Sequence, residues 1–314
     1  MKRMLLLLFI LIILCLVAIY FFIPANITIS NIARTNTIQK NIADCLRDGS
    51  AWKKWWPGSA SDESGNDRFV YQNYRFSVVR PFTDGAEIQV NKGEKNFRSR
   101  IFIVPHGTDS SWVEWQTAVV SGYSPFQRVA YWLEAKSIKD KIQRVLDTLA
   151  NFASNTANIY GYPIVRTTFS DTILAATKIS TNAYPTTDLI YNAIDQLKTR
   201  IKGVGAQEKD FPMLNVRQTD SGHFETMIAI CVNREIGNNG NIFVTRMVPM
   251  KDRFLRTEVT GGPASIRNAH EAMTNYMQDH FLSAPAISFE ILVTDRRKEA
   301  DTSKWKTTIF QPSM

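Results

Sequence analysis

The chain has 314 residues, of which 44% are hydrophobic and 21% are charged, and this composition excludes an intrinsically disordered protein. Its length predicts about two domains. The net charge of +8 is spread along the chain without a helix-turn-helix pattern, a zinc-finger spacing or a dense basic run, so we expect no nucleic-acid partner. The three cysteines, Cys15, Cys45 and Cys231, are too few for a disulfide framework, and we expect reduced thiols.

Residues 4–23 form an apolar run without a charged side chain, and a helix needs about 20 such residues to cross a bilayer. Because Lys2 and Arg3 precede the run, the positive-inside rule predicts a cytoplasmic N-terminus and places the rest of the chain outside the inner membrane. The alternatives are a cleaved signal peptide, for which the run is long and lacks a small-x-small site, and a lipoprotein, which Leu14 before Cys15 disfavours. We therefore expect an uncleaved single-pass anchor.

The pattern of residues 25–155 predicts an α+β domain. A strand at residues 27–33 precedes a helix at 38–46, whose apolar side chains recur at helical spacing. Residues 59–67 are polar and predict a loop. A long helix begins at Pro125, and its spacing predicts one apolar face with Ile138, Ile142, Val145, Leu146, Leu149 and Phe152. Between this loop and the long helix, alternation and turn residues predict strands at residues 69–72, 74–81, 86–91, 97–105 and 112–120.

Three tryptophans, Trp52, Trp55 and Trp56, stand between the first helix of this domain and a Pro-Gly turn. With the order strand, helix, antiparallel strands and long terminal helix, this segment resembles the START-like superfamily, also called the SRPBCC or polyketide-cyclase fold. The resemblance implies a helix-grip: a curved sheet around the terminal helix, with an apolar cavity for a hydrophobic ligand between them. The tryptophans are candidates for the mouth of that cavity, and core packing is the alternative.

The pattern of residues 158–314 predicts a second α+β domain, in which an internal repeat follows a strand at 164–169. The copies, at about residues 171–232 and 252–312, share the order strand, helix, strand, strand. Related copies usually share one sheet and leave a concave cleft between them. The repeat therefore predicts a site for a small molecule at the junction of the copies.

The copies differ at one position that bears on such a site. Aligning the pair Thr219-Asp220 with Thr294-Asp295 makes Asn215 the counterpart of Glu290. A carboxylate then stands in one copy where the other has a neutral amide. This asymmetry predicts a cleft for a small molecule, cations among the candidates, with Asn215 as a secondary residue.

Several segments of the second domain carry a family resemblance. They are residues 257–263 (Thr-Glu-Val-Thr-Gly-Gly-Pro), residues 289–295 (Phe-Glu-Ile-Leu-Val-Thr-Asp), Asp301, Trp305, Thr307 and Pro312. They resemble the GyrI-like effector-binding family, the ligand domain of AraC- and MerR-type multidrug regulators. The resemblance implies a cleft glutamate that meets cationic, aromatic ligands, and that role falls to Glu290. Residues 256–258 stand where the family has a Tyr/His-rich segment, which leaves the ligand chemistry open.

The residues themselves allow more than one environment for Glu290. It alternates with Phe289 and Ile291 and so projects from the other face of its strand. A carboxylate in an apolar cleft needs a cation or hydrogen-bond donors, which a ligand or an internal Arg or Tyr would supply. An exposed strand position is the other alternative. Trp305 is a candidate cover for the cleft or a core residue, and the basic residues 296–298 predict a solvated turn because acidic residues follow them.

Catalytic patterns are absent from the sequence. It contains no HExxH, CxxC, GxSxG or phosphate-binding glycine motif, and its four histidines are scattered, so we predict no metal, no cofactor and no catalytic residue. The predicted organisation is one transmembrane helix, a START-like helix-grip domain and a pseudo-symmetric GyrI-like domain. It predicts a membrane-anchored protein that binds small hydrophobic or amphipathic molecules without turnover. The alternatives are a hydrolase of small electrophiles with Glu290 as its base, and a structural or partner-binding envelope protein.

Overall fold

The computed structural model describes residues 2–63, 66–170, 172–219, 222–247 and 250–314. Asp171 and Asp220, which the repeat alignment uses, lie outside the described residues. The chain divides after Asn155 into two compact units, called unit 1 and unit 2 below.

The N-terminal segment of unit 1 forms helix α1, Lys2–Phe22. Residues 3–22 are long and apolar enough to cross a bilayer, and this stretch is not buried in the protein. A signal sequence near an N-terminus meets the same criterion, so anchoring and orientation stay predictions. At the end of α1, Arg128 Nη1 donates to the carbonyl of Ile23 at 3.1 Å, and a basic side chain in this position satisfies a helix C-terminus.

The rest of unit 1 is an antiparallel sheet with three helices in the described part of the chain. The strands are β1 Asn26–Thr35, β2 Ser59–Glu63, β3 Asn66–Tyr71, β4 Tyr74–Phe82, β5 Gly85–Lys92, β6 Lys95–His106 and β7 Ser110–Val120, and the helices are α2 Gln39–Leu46, α3 Gly49–Lys53 and α4 Pro125–Ser154. The sheet order is β1-β7-β6-β5-β4-β3-β2, and α4 packs on β1 and β7. The apolar face predicted for α4 is buried at Ile138, Ile142, Val145, Leu146 and Leu149.

The predicted loop at residues 59–67 is wrong. Within this segment, β2 takes residues 59–63 and β3 begins at Asn66, and the two strands pair in antiparallel register, with Ser59 opposite Val70. The strand β2 is at the edge of the sheet, where polar residues protect against unwanted strand pairing. Backbone pairing with β3 holds the segment, and a side-chain pattern does not reveal such pairing.

The three tryptophans of unit 1 lie in a packed aromatic core. Trp52, Trp55 and Trp56 are at most 8% exposed, and the ring centroids of Trp52 and Trp55 are 4.8 Å apart. The indole N–H groups of Trp52 and Trp55 donate to the carbonyls of Leu46 and Cys45, at 3.2 and 2.9 Å. These carbonyls lie at the C-terminal end of α2, where a helix leaves its acceptors unpaired. Trp52 and Trp55 therefore cap α2 while all three tryptophans fill the core.

Two partly exposed lysines and a tyrosine surround the buried carboxylate of Glu134 in α4 and form an ion cluster with it. Lys92 Nζ lies 2.8 Å from Glu134 Oε1, Lys95 Nζ lies 3.3 Å from Oε2, and the Tyr74 hydroxyl donates to the same carboxylate. Burial raises the pKa of Glu134, but the hydrogen bonds from Lys92, Tyr74 and Lys95 outweigh it and hold this pKa below its usual value. The cluster joins α4 to β4, β5 and β6, and no local feature of the sequence predicts it.

Unit 2 contains the predicted repeat. Its strands are β8 Val165–Phe169, β9 Thr172–Thr181, β10 Met213–Gln218, β11 Phe224–Val232, β12 Ile242–Met247, β13 Met250–Thr260, β14 Phe289–Leu292 and β15 Lys306–Pro312, and its helices are α5 Thr156–Tyr160, α6 Thr187–Gly203 and α7 Pro263–Asp279. The sheet order is β12-β9-β11-β10-β14-β15-β13-β8. The copies β9-α6-β10-β11 and β13-α7-β14-β15 thus meet at β10 and β14, in mirrored strand order.

Local signals explain where α6 begins and ends. Thr186 Oγ1 accepts a hydrogen bond from the backbone N–H of Leu189 at 3.3 Å, as expected of an N-cap threonine. After Gly203 the chain turns through Gly205, whose φ of +68° favours glycine. The buried face of α6 includes Ile194 and Leu197, as its periodicity predicts.

Both helices of the repeat cover the same face of the sheet. Helix α6 packs on β9 and β11, and α7 packs on β13 and β15. Because side chains alternate along a strand, Leu214 and Leu292 point to this helix face, whereas Met213, Phe289 and Ile291 join an aromatic cluster on the opposite face. The candidate site lies on the same face of the sheet, above β10 and β14, in the space between α6 and α7.

The capping role of the tryptophans is testable by replacing Trp55 with phenylalanine in the full chain. Trp55→Phe removes the bond to the Cys45 carbonyl and leaves a cavity, so we expect about 1–3 kcal/mol less unfolding free energy in urea. Six of the seven tryptophans are in unit 1, so indole emission follows its unfolding. The matched control Trp112→Phe, at a side chain 43% exposed, should change little. Equal effects of the two changes would contradict a capping role.

The ion cluster predicts a pH dependence of the Glu134→Gln variant. The pKa of Glu134 is lowered in the folded state, so its charge stabilises the fold above the usual value near 4.5 and loses this effect as the pH falls through the folded pKa. At neutral pH we expect the variant to unfold with about 1–3 kcal/mol less free energy than the wild type. The gap should narrow below pH 4.5, where glutamine and protonated glutamate are alike. Asp140→Asn, at an exposed position of α4, is the control, and a gap that is constant with pH would refute the assignment.

Candidate functional site

The candidate site is a cleft of about 600 Å³ on the helix face of unit 2. Its sides are the N-terminal parts of α6 and α7, represented by Thr187, Ile190, Ile266 and His270. Its floor is the pair of central strands, β10 and β14. The repeat therefore produces the cleft that the sequence predicts at the junction of the two copies.

The strand register defines the asymmetry of the cleft and corrects the repeat alignment. Leu214 of β10 pairs with Glu290 of β14, and both side chains point to the helix face. Asn215 is one residue further along, so its side chain shares the other face with its cross-strand partner Met227. Its amide donates to the Ser288 carbonyl at 2.8 Å. The counterpart of Glu290 is therefore Leu214, and the alignment that chose Asn215 is wrong by one residue.

Glu290 is engaged by internal partners. Arg296 Nη2 lies 3.1 Å from Glu290 Oε2, and His270 Nε2 lies 3.4 Å from Oε1. The carboxylate side chain is 14% exposed and that of Arg296 is 10% exposed. Of the environments open to Glu290 from the sequence, the structure supports the internal arginine.

Several contacts fix Arg296 in this position. Its Nη2 also donates to Thr307 Oγ1 at 3.0 Å, and its guanidinium carbon lies 5.0 Å from the centre of the Trp305 ring, within cation–π range. Its backbone N–H donates to the Tyr191 hydroxyl at 2.8 Å, so the start of the turn is tied to α6. The expected solvated turn is therefore wrong for Arg296, although Lys298 is exposed.

The environment keeps Glu290 ionised. Burial raises its pKa, but the hydrogen bond with His270 and the charge of Arg296 outweigh it, and the net pKa lies below the usual value. A carboxylate with a low pKa and a bound guanidinium is a weak proton acceptor. Glu290 is thus one partner of a fixed ion pair in the cleft, and its environment does not suit a general base.

Trp305 borders the cleft and forms part of its support. Its indole N–H donates to the Glu299 carbonyl at 2.9 Å, and only 9% of the residue is exposed. The ring lies against Arg296 on one side of the pair. The structure thus brings Glu290 and Trp305 together, while Asn215 borders the same cleft although its side chain points to the other face of the sheet.

Asn215 also borders a smaller cavity, of about 420 Å³, on the opposite face of the sheet. Met213, Met227 and Phe289 line it together with Phe254, and its surface is mainly apolar. The ring of Phe289 stacks on Phe310 at 5.2 Å in the cluster beneath. This cavity is separate from the Glu290 pair, since the central strands lie between them.

The sequence predicts the three tryptophans of unit 1 at the mouth of a ligand cavity, with core packing as the alternative. Trp52, Trp55 and Trp56 border neither of the two cavities above, and their indole N–H groups are used by backbone carbonyls. Their burial favours packing over ligand contact. The structure does not bring these tryptophans to the cleft that contains Glu290.

Nucleophile and metal chemistry find little support among the described residues. Burial raises the pKa of Cys45 to about 12 and that of Cys231 to about 11, so both thiols are protonated at neutral pH. The described part of the chain has no group of three or more His, Cys, Asp or Glu side chains placed to hold a metal ion.

Arg296, His270 and Arg267 all border the cleft, although no feature of the sequence predicts them there. His270 and Arg267 are three residues apart on α7, a spacing that shares one helix face. The sequence shows that spacing and the proline at the start of α7, Pro263. The direction in which the two side chains point depends on how α7 packs on the sheet. Arg296 had acidic neighbours in sequence, which concealed its inward orientation.

No family model and no curated protein matches the chain. Among solved structures, the C-terminal domain of EcmrR is similar over 49% of this chain and 98% of its own, with 14% identity and a TM-score of 0.42. EcmrR in complex with DNA covers 60% of this chain and 70% of its own, with 15% identity and a TM-score of 0.43. SAV2435 bound to tetraphenylphosphonium covers 49% and 93%, with 16% identity and a TM-score of 0.31.

A hydrolase from Listeria innocua is similar over 48% of this chain and 91% of its own, with 11% identity and a TM-score of 0.37. Because all of these TM-scores are below 0.5, they support no conclusion about ligand, reaction or DNA binding. The GyrI-like and START-like resemblances and the absence of a nucleic-acid partner therefore stay predictions. The structure itself establishes an α+β protein with two antiparallel sheets.

Proposed function

We propose that unit 2 binds a small hydrophobic or amphipathic molecule in the cleft between α6 and α7, without chemical conversion. The observation that carries this proposal is the cleft of about 600 Å³ above the central strands, with the Glu290–Arg296 pair at its floor. Its volume is within the range of about 300–1,000 Å³ that is typical of small-molecule sites.

The lining supports an amphipathic ligand. Ile190, Leu214, Val216, Ile266 and Trp305 offer apolar surface, and Glu290, His270 and Arg296 offer polar groups at fixed positions. Mainly apolar walls with a few convergent polar groups are the usual composition of a binding pocket. Because Arg296 is held by Thr307 and Trp305, these polar groups are preorganised before any ligand arrives.

The hydrolase alternative has no such support. A glutamate that abstracts a proton or activates water needs a pKa near the working pH, whereas Arg296 and His270 lower that of Glu290. The structural or partner-binding alternative predicts a cleft that no small molecule enters. The cleft-blocking experiment below distinguishes it from binding.

We also propose that α1 is an uncleaved anchor in the inner membrane, with units 1 and 2 outside it. The support is its apolar length and the Lys2-Arg3 pair before it.

In spheroplasts that express the chain, an impermeant protease should degrade both units. Protection of the units would reverse the orientation. A mature chain that starts about 20 residues late would identify a signal peptide instead.

A cleft-blocking variant tests binding. Val216→Trp places an indole in the cleft, whereas Gln218→Trp adds the same ring at an exposed position on the same face of β10, outside the lining. We expect calorimetric titration of the full chain in nanodiscs with aromatic probes to show at least about tenfold weaker binding to Val216→Trp, a loss of about 1.4 kcal/mol. Gln218→Trp should bind as the wild type does, with empty nanodiscs as the blank for partition into lipid. Failure of every probe to bind the wild type, or equal binding by both variants, would overturn the proposal.

A further inference from the structure

The charges of the side chains that border the cleft do not sum to zero. Among the described residues that line it, Glu290 is the one carboxylate, and Arg267 and Arg296 are the two guanidinium groups. Arg296 and Glu290 form an ion pair at 3.1 Å and neutralise each other. Arg267 then remains as a full positive charge with no ion pair to the residues that the structure describes.

The positive charge lies at the entrance and the neutral pair lies at the floor. Arg267 is exposed on α7, whereas the side chains of Glu290 and Arg296 are almost covered. His270 stands one helical turn from Arg267 on the same face of α7, and its Nε2 already contacts Glu290. The N-terminal turn of α7 borders the cleft and contains no acidic residue, so it adds partial positive charge.

This arrangement disfavours a cation that relies on Glu290. Such a ligand would pass Arg267 and then share a carboxylate that Arg296 and His270 already contact. Displacing Arg296 would leave a guanidinium covered without its partner, which is costly. The sequence predicts a cationic ligand from Glu290 because it places Arg296 in a solvated turn, away from this carboxylate.

We propose that the cleft selects amphipathic molecules that carry one negative charge, such as aromatic or short aliphatic carboxylates. This inference rests on the proposed function and specifies the ligand class of the same site. The carboxylate pairs with Arg267 at the entrance, where solvent also reaches it. The apolar body lies against Ile190, Leu214 and Trp305, above the neutral Glu290–Arg296 pair.

A set of probes with one aromatic body and three charges tests this selectivity. The probes are 2-naphthoate, 2-naphthamide and 2-naphthylmethylammonium, titrated by calorimetry into the full chain in zwitterionic nanodiscs, with empty nanodiscs as the blank. We expect 2-naphthoate to bind about two- to fivefold more tightly than the other two, the range for a partly exposed ion pair. In Arg267→Gln this preference should disappear.

Two further variants separate the explanations. Lys202→Gln removes the same charge at an exposed position in the last turn of α6, remote from the cleft lining, and should keep the preference. Glu290→Gln removes the carboxylate and should strengthen 2-naphthoate binding, provided that a thermal melt shows the variant is folded. Arg267→Gln carries the test alone if it is not folded, because Arg267 is exposed.

The outcomes distinguish this inference from the proposed function. Tighter binding of 2-naphthylmethylammonium, with its loss in Glu290→Gln, would overturn the anion preference and leave the binding function in place. Equal binding of the three probes, unchanged in Arg267→Gln, would also overturn it. If no probe binds the wild type, the proposed function itself fails.

Discussion

The antiparallel pairing of β10 with β14 is the interaction on which the sheet of unit 2 and its cleft depend. It joins the two copies of the repeat at the centre of the sheet, with Leu214 opposite Glu290. Because side chains alternate along a strand, this register sends Glu290 to the helix face and Phe289 to the aromatic cluster on the other face. A slip of one residue would exchange these faces and separate Glu290 from Arg296.

The ion pair at the floor of the cleft mainly determines the net charge of the floor and the position of the Arg296 side chain. A covered ion pair adds little net stability, because the loss of solvation offsets the attraction. Its effect is to keep Glu290 ionised, to orient Arg296 against Trp305 and to make the floor neutral overall. The charge that an entering molecule meets is then decided by Arg267, which stands on a different element from the pair.

Unit 1 uses its aromatic residues differently. Trp52, Trp55 and Trp56 fill space and supply N–H donors to backbone carbonyls. Trp52 and Trp55 combine packing with helix capping, whereas Trp56 donates to Val70 of β3. The cluster of Glu134 with Lys92 and Lys95 joins the long helix to the sheet. These contacts stabilise the unit, whereas the polar groups of unit 2 converge on an open cleft, which is why we place the binding function in unit 2.

The sequence by itself determined the elements whose signals are local. Helical periodicity predicted the buried face of α4, and the repeat predicted a shared sheet with a cleft at its centre. The tertiary structure decided what depends on distant partners: the pairing of polar β2, the ion cluster of Glu134, the position of Leu214 opposite Glu290 and the inward turn of Arg296. Periodicity and capping are set within a few residues, whereas strand register and covered ion pairs arise only when segments far apart in the chain pack together.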